Sequence, residues 1–527
     1  MMQQMSIHRG DSGWFSEQHL RLVYDQQSFE KYITESFSKE ALIRQIERKN
    51  QQFGKEAREN LHKALRQQYD GISVSKKVSQ NIDSLTSSNT FTITTGHQLS
   101  LFTGPLYFVI KILHVIKMCE ELNGEYPEYN FVPVYWMATE DHDFEEIQSC
   151  SIFNNKITWE SNQEGPVGLF DLEGLESVKE QLHDLFKNNP EGEIHRIIDS
   201  LEGDNYAKAM RNLVNELFGD RGLIILDGDD PVLKASFAPI FKKELTSEFS
   251  HTAVNEMTSE LLEDGGKDQV MAREINLFYN EKGLRSRIQR GPDGLFAEGK
   301  GNLELETLLN DPQKISPNVI LRPLYQEFVL PNLAYVGGGG EISYWLQLKG
   351  VFEAAEVVYP LIKVRNSVVW IDRGTKGKLD KLEAQPSAVF KDEDEWKKEF
   401  VKENAGDDLD MSGVNNAFEN LKAELSSLIL GIDPNKEQFL NAELARIEKQ
   451  VEGMKEKAVK FSKGQHDQAM KAIEFVKSRI NPNGGLQERS VNFFQFCNSG
   501  EVQPVIEQLY KALQPFQGDL VFLVEND

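Results

Sequence analysis

Apolar positions change their spacing twice along the chain. Through residue 85 the sequence is polar, with apolar positions such as Phe29, Tyr32, Ile33, Phe37, Leu42 and Ile46. That spacing suits amphipathic helices packed on a larger body. From Phe91 the texture becomes short β-rich runs alternating with helical ones. The runs are Phe91–Thr95, Phe131–Met137, Leu223–Leu226 and a less regular Val357–Val364. Continuous apolar strands separated by helices predict a parallel sheet covered on both faces. The expected core is therefore an α/β, Rossmann-like doubly wound domain over residues 86–390. The long intervals between strands place connecting insertions at about 145–220 and 245–320.

The pattern changes again over residues 391–482. Val414, Phe418, Leu421, Leu425 and Leu428 alternate four and three apart, and Gly431–Pro434 interrupts them. Asp433 and Pro434 suit the N-cap and first position of a second helix. Its seam is Leu440, Leu444, Ile447, Val451, Met454, Ala458 and Phe461, resuming one position shifted at Ala469, Ile473, Val476 and Ile480. Two such helices form a long antiparallel coiled-coil arm, with a pair of ordinary core helices as the alternative. Glu, Lys and Gln dominate off the seam, which favours the arm and makes it an element for homodimer formation. Residues 483–527 are expected to return to the core.

Composition narrows the function. The 527 residues carry 83 acidic and 58 basic side chains, a net charge of −25. Such a field repels phosphate backbones and anionic lipid, so neither nucleic acid nor membrane is an expected partner. A local basic pocket can survive on an acidic protein, which leaves ATP binding open. The three cysteines, Cys119, Cys150 and Cys497, are far apart and lack Cys-x-x-Cys spacing, which argues against a disulfide framework or thiolate zinc site. The N-terminus has no apolar core of signal-peptide length, and Pro105–Met118 is too short to span a bilayer. The chain reads as cytoplasmic.

Three segments can carry chemistry. Thr94-Thr95-Gly96-His97-Gln98 follows a strand and precedes a helix expected near Pro105. Glycine permits close backbone approach to a ligand, and His97 can donate to a phosphoryl oxygen. The turn partly matches the His-x-Gly-His element of nucleotidylyltransferases and class I synthetases, with Thr94 in place of the first histidine. A merely hydrogen-bonded turn is the alternative. Glu140-Asp141-His142-Asp143 follows the strand ending at Met137, where open α/β sheets bind ligands. Its carboxylates can hold an ammonium, bind Mg²⁺ with nucleotide phosphates, or act as base, and His142 can ligate a transition metal. A solvated helix start would look the same. Asn332–Glu341 contains Tyr335 and four successive glycines, including Gly338 and Gly339, and reads as a loop pressed on a ligand with Glu341 at its end. Arg322 and Arg365 are candidate carboxylate or phosphate clamps, with surface salt bridges as the alternative. Lys111 and His114 sit one turn apart in an apolar helix. Asp227–Pro231 reads as a helix cap.

Blocks in the same order across nearly the whole chain resemble the bacillithiol biosynthesis cysteine-adding enzymes. They are residues 94–107, 132–144, 273–278, 321–323, 330–331, 335–342 and 486–489. The resemblance implies a Rossmann-like core with a coiled-coil arm that pairs subunits. It also implies ligation of L-cysteine to the amine of glucosaminyl malate, the final step of bacillithiol synthesis. Gly96, His97 and Gln98 would hold nucleotide phosphates or an activated carboxyl, with Thr94 and Thr95 beside them. Glu140, Asp141 and Asp143 would face the amine. The substrate-binding set would be Lys111, His142, Arg322, Asn332, Tyr335, Gly338, Gly339, Glu341 and Arg365. ATP with Mg²⁺ is the natural activating partner for this fold, an analogy; no residue is assigned to a resident metal. No Lys-Met-Ser-Lys-Ser element is visible, and Arg373–Lys378 is a weak stand-in. The alternatives are an ATP-dependent ligase or nucleotidylyltransferase for another small carboxylate, and a non-catalytic coiled-coil assembly protein.

Overall fold

The computed structural model describes residues 2–404 and 411–526. Residues 1, 405–410 and 527, inside the expected N-terminal, arm and C-terminal segments, lie outside the described residues. The chain divides into two compact units. One comprises Met2–Trp370 and Gly485–Leu523, the other Ile371–Gly484 with the last residues of the chain. Residues 371–390, which the sequence pattern kept with the core, cluster with the helical unit. Among the described residues, no helix is long and apolar enough to cross a membrane.

The larger unit is built on five parallel strands, β1 (Thr90–His97), β2 (Asn130–Met137), β3 (Ile224–Asp227), β4 (Asn332–Gly337) and β5 (Leu361–Val364). Their order across the sheet is β5-β4-β1-β2-β3. The four runs expected from the sequence all fall on strands. β4 was hidden because its residues end in glycines and read as a loop. β1 and β2 pair from Thr90–Asn130 to His97–Met137, so the two candidate segments that follow them emerge side by side. Between these strands runs α1 (Tyr107–Glu125), almost wholly buried.

A polar spine pins β1 to β4. The buried hydroxyls of Thr92 and Thr94 donate to Asn332 Oδ1 at 3.1 and 2.8 Å, and Asn332 Nδ2 donates to Glu327 at 2.7 Å. Thr95 Oγ1 donates to the Val336 carbonyl at 2.7 Å. Buried polar groups are tolerated in such a sheet only when partnered.

The two insertions differ. The stretch after Met137 holds a two-stranded hairpin, Ser149–Ile152 with Asn155–Thr158, and helices including Tyr206–Phe218. The second insertion is a five-stranded antiparallel sheet, in the order Gly301–Leu303, Gly294–Ala297, Leu284–Gly291, Leu277–Glu281, Ile315–Pro317. Between β3 and that sheet lies α2 (Pro231–Ser247), which Asp230 caps through the amides of Val232 and Leu233, and between the sheet and β4 lies α3 (Leu321–Val329). The cap expected at Asp227–Pro231 is thus made by Asp230 and Pro231.

The helical unit contains α5 (Ser412–Ile432, 21 residues) and α6 (Glu437–Ile480, 44 residues), joined by a short turn that Asp433 caps at Asn435. Lys455 pairs with Asn415 and Lys422 lies 3.8 Å from Glu448, an antiparallel match. α6 is twice as long as α5, so it cannot be a simple hairpin partner throughout. Near its C-terminal end Ala472, Ile473, Val476 and Ile480 are buried. There Lys397 bonds Glu474 at 2.7 Å and Arg479 bonds Asp372 at 3.1 Å, so α6 packs on Arg373–Lys381 and Glu393–Asn404. Those contacts draw residues 371–390 into this unit. Arg373–Lys378, the stand-in for a synthetase loop, is regular helix capped by Asp372 at the Thr375 amide.

Replacing Asn332 by Ala would strand two threonine hydroxyls and the Glu327 carboxylate in the core. Leaving buried partners unsatisfied costs about 1–3 kcal/mol each when no water replaces them. The expected outcome is a loss of roughly 2–4 kcal/mol with the fold retained, read by urea unfolding monitored through tryptophan fluorescence.

Candidate active site

At the carboxyl ends of β1, β2 and β4 lies a cavity of about 830 Å³. Its floor is set by one buried cation. Lys111 projects from the apolar α1, donates to both carboxylate oxygens of Glu341 at 2.8 Å, and also donates to the Gly96 carbonyl. Glu341 belongs to α4 (Gly339–Trp345) and further accepts from Tyr335 Oη at 3.1 Å and the Gly338 amide at 2.7 Å. Burial pulls the Lys111 ammonium below its ordinary range and Glu341 restores it only in part. Burial alone would raise Glu341, but Lys111 and the Gly338 amide hold it below the usual carboxylate range. Glu341 is therefore ionised near neutral pH. His114, the other buried polar residue of α1, turns away and accepts from the Asn366 amide at 3.1 Å.

His97 sits at the end of β1 between Tyr107 and Phe108, with ring centroids 5.2 and 4.9 Å away. Its Nδ1 lies 2.9 Å from the Gln98 carbonyl. A carbonyl only accepts, so Nδ1 carries the proton and Nε2 is a free acceptor. Desolvation and the Lys111 charge lower His97 to about 4. The ring is thus a neutral base at physiological pH, whereas the sequence reading had cast it as a donor to phosphate.

Asp141 faces the cavity from the loop after β2. Its oxygens accept from the His142 amide at 2.9 Å and from Gln98 Nε2 at 3.2 Å. Arg322 and Arg285 each stand 3.9 Å away. Burial would push the carboxyl up, but Arg322 and Arg285, with those hydrogen bonds, hold it below its usual range. Gln98 also donates to Glu146 at 2.9 Å, so Gln98, Asp141 and Glu146 make one polar cluster on the cavity wall.

Gly96, His97, Gln98, Lys111, Asp141, Arg322, Tyr335, Gly338, Glu341 and Arg365 therefore meet around one space. Other expected residues do not. Thr94 and Thr95 have their hydroxyls committed inside the sheet and Asn332 joins β1 to β4, so none can reach a ligand. Glu140 is buried against Lys234, 2.7 Å away, which also pairs with Asp229 at 2.6 Å. It anchors the loop from behind, because a turn at Thr139 and Glu140, closed by the Asp141 amide on the Ala138 carbonyl at 3.2 Å, turns the two carboxylates different ways. His142 accepts from Arg285 Nη1 at 2.8 Å outside the cavity lining, and Asp143 is exposed at the start of the short helix Phe144–Ile147. The glycine run is not a loop. Gly337 ends β4, Gly338 caps α4, and a Cβ at Gly339 would come within 2.0 Å of His19 Nδ1. Gly339 is there for packing.

The sequence reading missed most of the cavity's cations. Arg285 and Arg287 come from the antiparallel insertion, Arg273 from the segment before it, and Arg489 from the chain after the helical unit. Arg285 is buried over the Phe278 ring, 3.9 Å from its centroid, and bonds Ser316 and the Pro317 carbonyl. Burial and the nearby Arg322 pull it down to about 10, still charged. Tyr107, Glu146, Gln326 and Tyr344 also line the space. The blocks 273–278 and 486–489, which contain Arg273 and Arg489, were the signals pointing to this wall.

Behind the Asp141 loop, Thr139 donates to Asp227 at the end of β3, and the Asp229 amide donates to the same oxygen at 2.9 Å. Burial raises Asp227 from 3.8 to about 6. A folded-state value above the unfolded one means that the group's stability contribution is full below about 3.8 and is lost as pH rises through about 6. Asp227→Asn removes that titration. Its melting temperature relative to the unmodified protein should therefore rise progressively between about pH 4 and about pH 7.5. Thermal melts across that range check it, and a pH-independent difference would refute it.

Comparison with known proteins fits this geometry. The family described as Bacillithiol biosynthesis BshC, N-terminal Rossmann-like domain, matches residues 12–366, and its C-terminal coiled-coil domain matches residues 368–524. A Flavobacterium johnsoniae protein is 38% identical over 514 residues, covering 95% of this chain and 97% of its own. One from Flavobacterium psychrophilum is 38% identical over 526 residues, covering 96% and 97%. One from Cytophaga hutchinsonii is 36% identical over 463 residues, covering 86% of each. All three carry the name "Putative cysteine ligase BshC". With a doubly wound core, a helical unit and matches along nearly its whole length, this chain belongs to the bacillithiol biosynthesis BshC family.

Proposed function

We propose that this enzyme joins L-cysteine through its carboxyl group to the amine of glucosaminyl malate, the final step of bacillithiol synthesis. The observation that carries the proposal is one cavity in which a free neutral imidazole, an acidic cluster and a cationic wall all meet. Amide formation from an activated carboxyl needs those three things. The acceptor amine is held by Asp141 and Glu146 and loses a proton to His97 Nε2. The carbon–nitrogen bond forms as the bond from the acyl carbon to its leaving group breaks. Arg322 and its neighbours meet the malate carboxylates, which suits bidentate recognition.

A carboxylate does not condense with an amine unaided, so activation by ATP with Mg²⁺ is part of the proposal. The support is chemical and electrostatic: guanidinium groups surround a space large enough for a nucleotide and a sugar acid. Since Thr94 and Thr95 are occupied, phosphoryl groups would meet Gly96, Lys111 and the arginines. The proposed setting is cytoplasmic, where ATP and thiols are abundant.

The enzyme is further proposed to act as a homodimer through the helical unit. Leu428, Met454 and Phe461 are 62%, 72% and 70% exposed there, while Leu440 of the same seam is 3% exposed. An apolar seam left uncovered over such a length favours association. Met454→Glu with Phe461→Glu should shift the protein from dimer to monomer in sedimentation, and an unchanged mass would refute this interface.

The function is tested by thiol profiling of a deletion strain, complemented with the native gene or with His97→Ala or Asp141→Ala. Bacillithiol should vanish, glucosaminyl malate should accumulate, and only the native gene should restore the balance. Purified His97→Ala should lose about 10²–10⁴-fold in rate, as expected for removal of a general base. Unchanged thiol pools would refute the reaction. Equal turnover with serine in place of cysteine would favour a ligase for other small carboxylates.

A further inference from the structure

The cations of the cavity fall into two groups with separate counterions. Arg285 and Arg322 share Asp141, each 3.9 Å from it. Among the described residues neither has a closer ion pair, and Arg287 and Arg273 line the same space. The second group is Arg365 and Arg489. Arg365 is buried, stacks over the Tyr107 ring 5.0 Å from its centroid, and bonds Glu488 at 2.7 Å. Its Nε hydrogen is buried without a protein partner. Arg489, the residue after Glu488, is exposed on the cavity wall. Arg9 approaches the same place and donates to the Arg365 carbonyl at 2.8 Å.

Both groups are crowded with like charge. Around Glu488 stand Arg9, Arg365 and Arg489, and burial together with Arg9, Arg365 and Arg489 lowers the neighbouring His19 to about 3. Glu488 is already saturated by Arg365, the Ser367 hydroxyl and the Val368 amide. Around Asp141, burial and then the neighbouring Arg322 lower Arg285. The Gln98–Asp141–Glu146 cluster and the Lys111–Glu341 pair, which neutralises itself, line the same cavity. A guanidinium cluster with fewer carboxylates than cations is stabilised by an incoming anion. Here there are two such clusters in one cavity.

We propose that the cavity binds two anionic groups at once, one at Arg322 and Arg285 and one at Arg365 and Arg489. The first takes a carboxylate, since its arginines stand beside the carboxylate cluster that holds the amine. The second takes a phosphoryl group, since Arg365 keeps a buried Nε donor that no described residue meets and Arg489 adds an exposed guanidinium beside it. Which anion goes to which end rests on the ligase reading. That there are two ends does not.

Calorimetric titration of the full chain with inorganic pyrophosphate and with L-malate tests this, each alone and in the presence of the other. Protein saturated with malate should bind pyrophosphate with an affinity within about 2-fold of the free protein. Arg489→Gln should weaken pyrophosphate by about 10-fold or more and leave malate within about 2-fold, the loss expected for one charged hydrogen-bonding partner. Arg489→Lys should fall between, and Arg322→Gln should do the reverse. Both positions are solvent-accessible, so these variants are expected to fold. If Arg489→Gln weakens malate instead, and the two anions still bind together, the second end takes a carboxylate and the two-subsite arrangement stands. Competition between the anions, or no effect of Arg489→Gln on either, overturns it. These titrations need no turnover, so a failed ligation assay leaves their outcome intact, and the reverse holds too.

Discussion

The ion pair between Lys111 and Glu341 is the constraint on which the rest of the site depends. An ammonium in the middle of an apolar helix is costly unless a counterion and hydrogen-bond acceptors meet it. Glu341 and the Gly96 carbonyl are those partners. Together they tie α1, β1 and the start of α4 to a single point. The other features follow from it. Gly96 must be near enough to accept, which fixes the end of β1 and so the place of His97. Glu341 must turn inward, which makes Gly338 a cap and sends the glycine run into a helix. Tyr335 is drawn to the same carboxylate and stacks on Trp345, 4.5 Å between centroids. A pair already neutral within itself leaves the arginines around it free for ligands.

Charge is distributed in an unusual way for a protein with a net charge of −25. The acidic excess lies elsewhere, while guanidinium groups from five separate stretches of chain converge on one cavity. Low-dielectric walls focus such a field. Small anions are thereby favoured inside, and large polyanions meet a repulsive exterior.

Much of the scaffold was legible because strands buried on both faces must be continuously apolar. Four of the five parallel strands stood out on that ground, and so did the break at Asp433. β4 did not, because Asn332 opens it and glycines close it. The site was legible where a residue lies next to a strand end, as with His97 and Asp141. It was misread where a tight turn decides direction, as with Glu140 against Asp141. Thr94 and Thr95 looked like ligand-facing residues, yet a threonine in a central strand finds its partner in the next strand. Arg322 and Arg365 were picked out, but Arg285 and Arg287 were invisible, since an exposed-looking Arg in a β-hairpin carries no local mark of where its strand is folded. Only tertiary structure collects them.

The roots of the helical unit touch. Trp370, its last neighbour on one side, is bonded through both its amide and its carbonyl to the side chain of Gln487, at 2.8 and 2.9 Å. Everything from Ile371 to Gly484 is thus an excursion that leaves and re-enters at nearly one place. For a chain assembling its core, a loop of that length would raise the entropy of closure only logarithmically. Helices that form from local contacts shorten it further, because rigid rods replace freely jointed residues. The core can therefore close as if Trp370 and Gly485 were near neighbours in sequence. The excursion, in turn, can lengthen, shorten or change its surface over generations without disturbing the register in which Arg365 and Arg489 face each other's side of the cavity.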